Sequence, residues 1–281
     1  MLIDLHTHSN ASDGTDDPAA LVRAARAAGL DVVALTDHDT VGGWAEASAA
    51  VPDGLTLVPG AEISCAVHGV SLHLLAYLFD PRDEALAGEM SRAYDDRVPR
   101  AQEIVRLLGE AGYPVAWEDV VDQIEPGATV GRPHIADALV AAGVVADRDA
   151  AFADLLHNRS RFYVRHYAAD PVRAVRLVRA AGGVPVFAHP AASRRGRTVG
   201  DDVIAELAEA GLAGLEVDHR DNAPEDRARL RGLARELGLL VTGSSDYHGA
   251  GKPNRLGENT TDPDVFEALV AQATGTTVVA A

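Results

Sequence analysis

The chain has 281 residues, 47% of them hydrophobic, and a formal charge of -17 from 42 acidic and 25 basic side chains. That length and apolar content suit one large domain, or one domain with an insertion, and exclude a disordered chain. The acidity, without any long stripe of Lys and Arg, disfavours binding to long duplex nucleic acid.

Apolar runs such as VVALT and LLVTG are of strand length, far below the roughly 18 residues needed to cross a bilayer. Residues 1–10 hold an acid and two histidines where a signal peptide would place a basic stretch and an apolar core. A soluble cytoplasmic protein without membrane partners is expected. Cys65 is the single cysteine. Internal disulfides and thiolate metal clusters are therefore excluded, and any metal must be held by histidine and carboxylate.

In chain order, seven strands are predicted: LIDLHTH (2–8), DVVALTD (31–37), TLVPGAEIS (56–64), VSLHLLAYLF (70–79), VPVFAHP (184–190), GLEVD (214–218) and LLVTGSSD (239–246). Helical patterns lie between them: PAALVRAARAAG after the first, DDVIAELAEAG before the sixth and APEDRARLRGLARELG before the seventh. Each keeps apolar residues at helical spacing and stops at glycine. Alternating β and α units with near-continuous apolar strands predict a parallel sheet, and seven units predict a barrel. Residues 81–165 break the rhythm and read as helices only, so the chain divides into 1–80, a helical insertion over 81–165 and a resumed barrel over 166–281.

Polar residues gather at the predicted strand ends: His6 and His8, then Asp37, His38 and Asp39, then Glu62, His73, His189, His219, and Asp246 with His248. The C-terminal rim of such a barrel carries the active site. Residues two apart on an extended chain point the same way, which lets His6 and His8 grip one ion. A lone histidine is usually structural, and His68, His157 and His166 are read so. The joint pattern indicates a metal centre. Imidazole and carboxylate donors suit Mn2+, Fe2+ or Zn2+, with Glu62 a bridge between ions about 3.5–4 Å apart.

The segments DLHTHSNASDG, LTDHDT, PGAEIS, LHLLAY, FAHP and GSSDYH resemble, in order, the motifs of the PHP (polymerase and histidinol phosphatase) family of metal-dependent phosphoesterases. GRPHIADALVAAG and FADLLHNRSRFYV resemble the helical insertion of one subgroup, which includes nucleoside 3',5'-bisphosphate phosphatases and enzymes that trim short RNA from the 5' end. The resemblance implies an α/β fold, a distorted seven-stranded (β/α) TIM-like barrel with a helical insertion that caps the substrate. It also implies two or three metal ions. His6, His8, Glu62 and Asp246 would hold the first, Asp13, His38 and His248 the second, and Glu62, His73 and His189 the third. Asp13 stands where several members, histidinol phosphatase-like ones among them, place histidine. Its harder oxygen favours Mn2+ over Zn2+ at the second site and argues against histidinol phosphate.

The implied reaction is hydrolysis of a phosphate ester, with Asp246, His189 and His248 as candidates for moving the proton. Arg132 and His134 are candidates for a second phosphate, since a guanidinium matches phosphate geometry with paired donors. Arg194 and Lys252, on loops leaving the rim, and His219 complete the expected substrate contacts. So sparse a set of basic residues suits a nucleoside 3',5'-bisphosphate, cleaved at its 3'-phosphate, or the 5' end of a short oligoribonucleotide. Another small phosphomonoester such as histidinol phosphate, or a noncatalytic PHP module, are the alternatives.

Overall fold

The computed structural model of the chain describes residues 1–124, 130–165 and 167–281. His166 lies outside the described residues. Two compact units are present, one formed by Met1–Ser91 with Ala168–Ala281 and the other by Arg92–Tyr167.

In the first unit the strands β1 (Ile3–Asp4), β2 (Val32–Leu35), β3 (Thr56–Val67), β4 (Val70–Tyr77), β5 (Val184–Phe187), β6 (Gly214–Asp218) and β7 (Leu240–Gly243) neighbour one another in chain order. Beyond β1 a parallel bridge joins Thr7 to Tyr247, and the His8 amide donates to the Tyr247 carbonyl at 2.8 Å. The sheet is thereby nearly closed into the expected barrel. A short β8 (Val279–Ala280) pairs with the start of β3.

Helices α1 (Pro18–Ala27) and α2 (Trp44–Ala49) follow the first two strands, and α3 (Glu84–Asp95) leads towards the second unit. There lie α4 (Arg97–Glu110), α5 (Trp117–Val121), α6 (Arg132–Ala141) and α7 (Arg148–Asp154). Then α8 (Pro171–Ala180), α9 (Asp201–Glu209), α10 (Pro224–Leu237) and α11 (Pro263–Val270) return to the barrel unit. Three helices begin with Asp-Pro. Asp17, Asp170 and Asp262 each accept an amide hydrogen bond from the first turn, while the following proline sits where no amide donor is needed.

The sheet is mixed, which corrects the parallel expectation. β4 runs antiparallel to both β3 and β5, and the remaining neighbours from β1 to β7 are parallel. An apolar run reads the same in either direction, so its composition carried no sign of the reversal. The two-residue turn His68-Gly69, both at positive φ (50° and 72°), makes the hairpin and gives His68 its structural role. Because β4 is reversed, its early residue His73 lies opposite Ser64, near the end of the site, although it stands well inside its strand.

Expected strands one, two, four, five and seven are shorter than predicted, β6 matches, and β3 runs on to Val67, so Glu62 lies inside its strand. The chain enters the left-handed region at Asp39 (φ 54°), His189 (φ 32°) and Asp246 (φ 55°), just past β2, β5 and β7. Non-glycine residues there cost about 1–3 kcal/mol each, a strain typical of sites where side chains must be aimed.

Ile3, Leu5, Val32, Ala34, Val58, Leu75, Tyr77, Val184 and Val186 form one buried cluster with Phe266 and Leu269 of α11. The alternate residues Val33, Leu35 and Leu57 pack on Leu21, Val22 and Ala25 of α1. Period-two alternation thus divides the barrel interior from its helix-covered outside. The second unit has a core of its own, with Ile104, Leu108, Val120, Ile135, Leu139 and Phe162 among its members. Gly182, at φ 75°, closes the turn after α8, where an added Cβ would stand 2.5 Å from the Gly275 nitrogen. Gly182→Ala is expected to destabilise the protein by about 2–4 kcal/mol through clash and backbone strain; an unchanged urea midpoint would contradict this.

Candidate metal centre

Glu62 is the hub. Its Oε1 lies 2.9 Å from His73 Nδ1 and 3.2 Å from His189 Nε2, and its Oε2 lies 3.2 Å from both His6 Nε2 and His8 Nε2 and 3.1 Å from His38 Nδ1. The side chains come from the ends of β1, β2 and β5 and from the β3–β4 hairpin. Asp246, beyond β7, brings Oδ1 to 3.5 Å from His6 Nε2 and 3.4 Å from His8 Nε2. Asp13 brings Oδ1 to 3.2 Å from His248 Nε2 and Oδ2 to 3.8 Å from His38 Nε2.

Three groups of ligand atoms, each within 4.8 Å of one another, follow from this: His6, His8 and Asp246; His8, Asp13, His38 and His248; and His38, Glu62 and His73. The groups overlap. His8 belongs to two of them, and His38 joins Glu62 and His73, while His189 meets the same Glu62 Oε1 from another side. All nine residues expected to bind metal are brought together.

The donors fit a cation better than they fit one another. Buried Asp13 Oδ1, His38 Nδ1, His73 Nδ1 and His219 Nε2 make no hydrogen bond, although each has a possible partner within 3.6 Å. Burial pushes His189 down to about 3, helped by Arg195, and His248 down to about 4, helped by Lys252. Both imidazoles are thus neutral, as ligands must be. Burial opposes charge on His8 as well, but contacts with Asp246 and Glu62 outweigh it and raise the group to about 9. A divalent ion favoured by the same carboxylates would take that proton's place. Burial would lift Glu62, yet His73, His38 and His6 hold it well below the carboxylate range.

Several supporting residues were missed in the sequence. Glu216, fully buried in β6, accepts from His6 Nδ1 at 2.8 Å and from the His189 amide at 2.7 Å, and Ser244 Oγ donates to it. With Nδ1–H committed there, His6 can offer only Nε2 to an ion. Asp37 accepts from the Ser9 amide and from the hydroxyls of Ser9 and Ser12, and Asp39 accepts from the amide and hydroxyl of Ser64. These acids pin the loops that carry His8 and His38. Asp4 accepts from the amides of His6, Ser245 and Gly257, and burial raises it to about 6.

Of the arginines after β5, Arg195 rather than Arg194 reaches the centre. Its Nη2 donates to Asp246 Oδ2 at 2.5 Å and its Nε to Asp221 at 2.7 Å, whereas Arg194 is exposed on the short 3-10 turn. Lys252 Nζ lies 3.0 Å from His248 Nε2 and donates to Asp246 Oδ2 at 3.3 Å. His219 is buried, accepts from the Asp221 amide on Nδ1 and turns Nε2 to 3.6 Å from Asp246.

Arg132 and His134 belong to the helical unit. His134 Nδ1 accepts from the Gly131 amide and so caps α6. Arg132 Nη1 donates to the Leu156 carbonyl and to Asn158 Oδ1. His157 keeps a structural role, its Nδ1 accepting from the Arg159 amide.

A family model for the PHP domain matches residues 4–114. A 3',5'-nucleoside bisphosphate phosphatase of Chromobacterium violaceum is 32% identical over 254 residues, covering 90% of this chain and 89% of that protein. The chain belongs to the PHP family. A 5'-3' exoribonuclease of Haemophilus influenzae is 34% identical over 247 residues, covering 87% of this PHP chain and 89% of its relative. The crystal structure of a Bifidobacterium adolescentis protein assigned as a metal-dependent phosphoesterase matches with a TM-score of 0.92 at 42% identity, over 97% of this chain and 96% of that one. The protein is thus a PHP-type phosphoesterase, a hydrolase of phosphate esters whose His, Asp and Glu clusters are suited to metal. Among the described residues, no helix is long and apolar enough to cross a membrane.

Proposed function

We propose that this PHP enzyme removes the 3'-phosphate of nucleoside 3',5'-bisphosphates and also trims short RNA from its 5' end, in the cytoplasm. The observation that carries the reading is the convergence of three donor groups around Glu62, with Arg195 and Lys252 both placed against Asp246. The names of the Chromobacterium and Haemophilus relatives support the substrate class.

His6, His8, Glu62 and Asp246 would hold one ion, Asp13, His38 and His248 a second, and Glu62, His73 and His189 a third. The oxygen donor of Asp13 makes Mn2+ the best match. When bound, such ions supply Lewis acidity and lower the pKa of water to near neutrality. The protein's own groups complete the chemistry. Arg195 and Lys252 offer positive charge to the phosphate oxygens, and neutral His189, neutral His248 and Asp246 are the groups placed to accept or return a proton. His219, Lys252 and Arg194 are assigned to the substrate's near side, and Arg132 and His134 of the helical unit to its second phosphate.

The test is phosphate release, with Mn2+ present, from adenosine 3',5'-bisphosphate, histidinol phosphate and 5'-AMP. Turnover of the bisphosphate is expected to exceed the other two by at least about tenfold, one decade in rate for 1.36 kcal/mol of barrier. Equal rates on all three, or none on the bisphosphate, would overturn the proposal. A preparation that binds no Mn2+ and stays inert when it is added would instead mark a noncatalytic module.

A further inference from the structure

The helical unit, taken by itself, contains positive charge that its carboxylates do not neutralise. Arg100 of α4 donates from Nε to the Val164 carbonyl at 2.9 Å, and its guanidinium stands 5.7 Å from the centre of the Tyr163 ring. Arg132, the first residue of α6, stands 5.8 Å from the same ring centre and 5.5 Å from that of Phe152. Two half-buried guanidinium groups thus share one aromatic side chain.

Elsewhere in the unit the arginines meet acids: Arg106 pairs with Glu103 and Glu110, and Arg148 with Asp137. Neither Arg100 nor Arg132 has a carboxylate within 4 Å among the described residues. Asp96 favours the charge on Arg100, but its Oδ2 accepts from the Tyr167 amide at 2.7 Å. Arg97, on the same helix, adds repulsion. Burial and then the charge of Arg132 bring Arg100 down to about 10. In a chain with 42 acids and 25 bases, two adjacent half-buried cations without a carboxylate are an unfavourable arrangement that an anion would relieve.

The donors for such an anion are present. A guanidinium carries five N–H groups. Protein oxygens take Nε of Arg100 and Nη1 of Arg132, which leaves both Nη groups of Arg100 and the Nε and Nη2 of Arg132 without a protein acceptor among the described residues.

We propose that Arg100 and Arg132, backed by Tyr163, form an anion subsite that takes a phosphate group the enzyme does not cleave, the 5'-phosphate of a nucleotide. The choice of nucleotide rests on the function proposed above, whereas the anion subsite can be tested without it. Fork-shaped donors suit a phosphate with two or three open oxygens, and the aromatic ring holds both guanidinium planes in place before the ligand arrives.

The experiment compares wild-type full-length protein with Arg100→Gln and Arg100→Lys. In the presence of Mn2+, Arg100→Gln is expected to raise KM for adenosine 3',5'-bisphosphate at least about tenfold, as for a lost charge-assisted contact, and to leave kcat/KM for adenosine 3'-monophosphate unchanged. An unchanged KM for the bisphosphate, or equal losses on both substrates, would overturn the subsite. Calorimetric titration of the metal-free chain with 5'-AMP reads the same contact without turnover. If wild type does not hydrolyse the bisphosphate but binds 5'-AMP at least about tenfold more tightly than Arg100→Gln does, the function proposed above falls and the subsite stands. Equal binding by the two proteins overturns the subsite. Arg100→Lys keeps the apolar stem and the charge and loses the paired donors; it should also weaken 5'-AMP binding, and wild-type affinity there would rule out the fork-shaped contact.

Discussion

Glu62→Gln is expected to lower kcat/KM about a thousandfold or more, a loss of several kcal/mol of the kind a metal ion supplies to phosphoryl chemistry, and to reduce the number of bound ions. The cause is local. Both oxygens of Glu62 face imidazole nitrogens, three histidines on one side and two on the other. The amide removes the negative charge that a bridging position needs, and it turns an N–H pair towards lone pairs that cannot accept a cation in its place. Metal content by elemental analysis and activity with added Mn2+ check the prediction together, with circular dichroism to show that the barrel is intact. Full metal content in an inactive, folded variant would show that Glu62 acts in some other way.

Glu216→Gln is expected to cost about 10–100-fold in metal affinity and in turnover, the usual penalty for losing a group that orients a ligand. The carboxylate accepts from His6 Nδ1, from the His189 amide and from Ser244 Oγ at once. A glutamine oxygen can satisfy only part of that set, and its NH2 would face a donor. His6 would then be free to place its proton on Nε2, the nitrogen that faces Glu62 and Asp246. Nitrogen NMR of the histidine tautomers is the decisive readout, because a merely structural role would lower stability without moving the His6 proton. Wild-type Mn2+ affinity with an unchanged tautomer would remove Glu216 from this role.

The seven strands, the helical insertion and the nine candidate ligands were legible in the sequence. Apolar periodicity marks a strand, and a histidine or acid just past it interrupts that periodicity. The direction of β4 was not legible, since apolar composition carries no sign, and the strand-interior position of His73 was its only trace. Glu216 was hidden for a related reason: an acid within GLEVD gives no hint of which side of the strand it faces until the register to β7 is known. Arg195 and Arg194 are adjacent, and the 3-10 turn that sends only one of them to Asp246 has no periodic signature. His134 looked like a phosphate ligand because the motif GRPH places it at a helix start, which is also where a side chain can cap the helix it begins.

The bridge between Thr7 and Tyr247 has a consequence for the order in which the protein comes into being. Synthesis delivers His6 and His8 almost at once, but Asp246 and His248 only when the barrel's last strand has been made. Until then the earliest ligands have half a centre, and the first strand has no neighbour on its open edge. A chain halted before β7 would leave the ribosome with most of its histidines and no completed pocket. Catalytic competence therefore arrives late and abruptly, with the closing of the ring, and a partly made copy is inert.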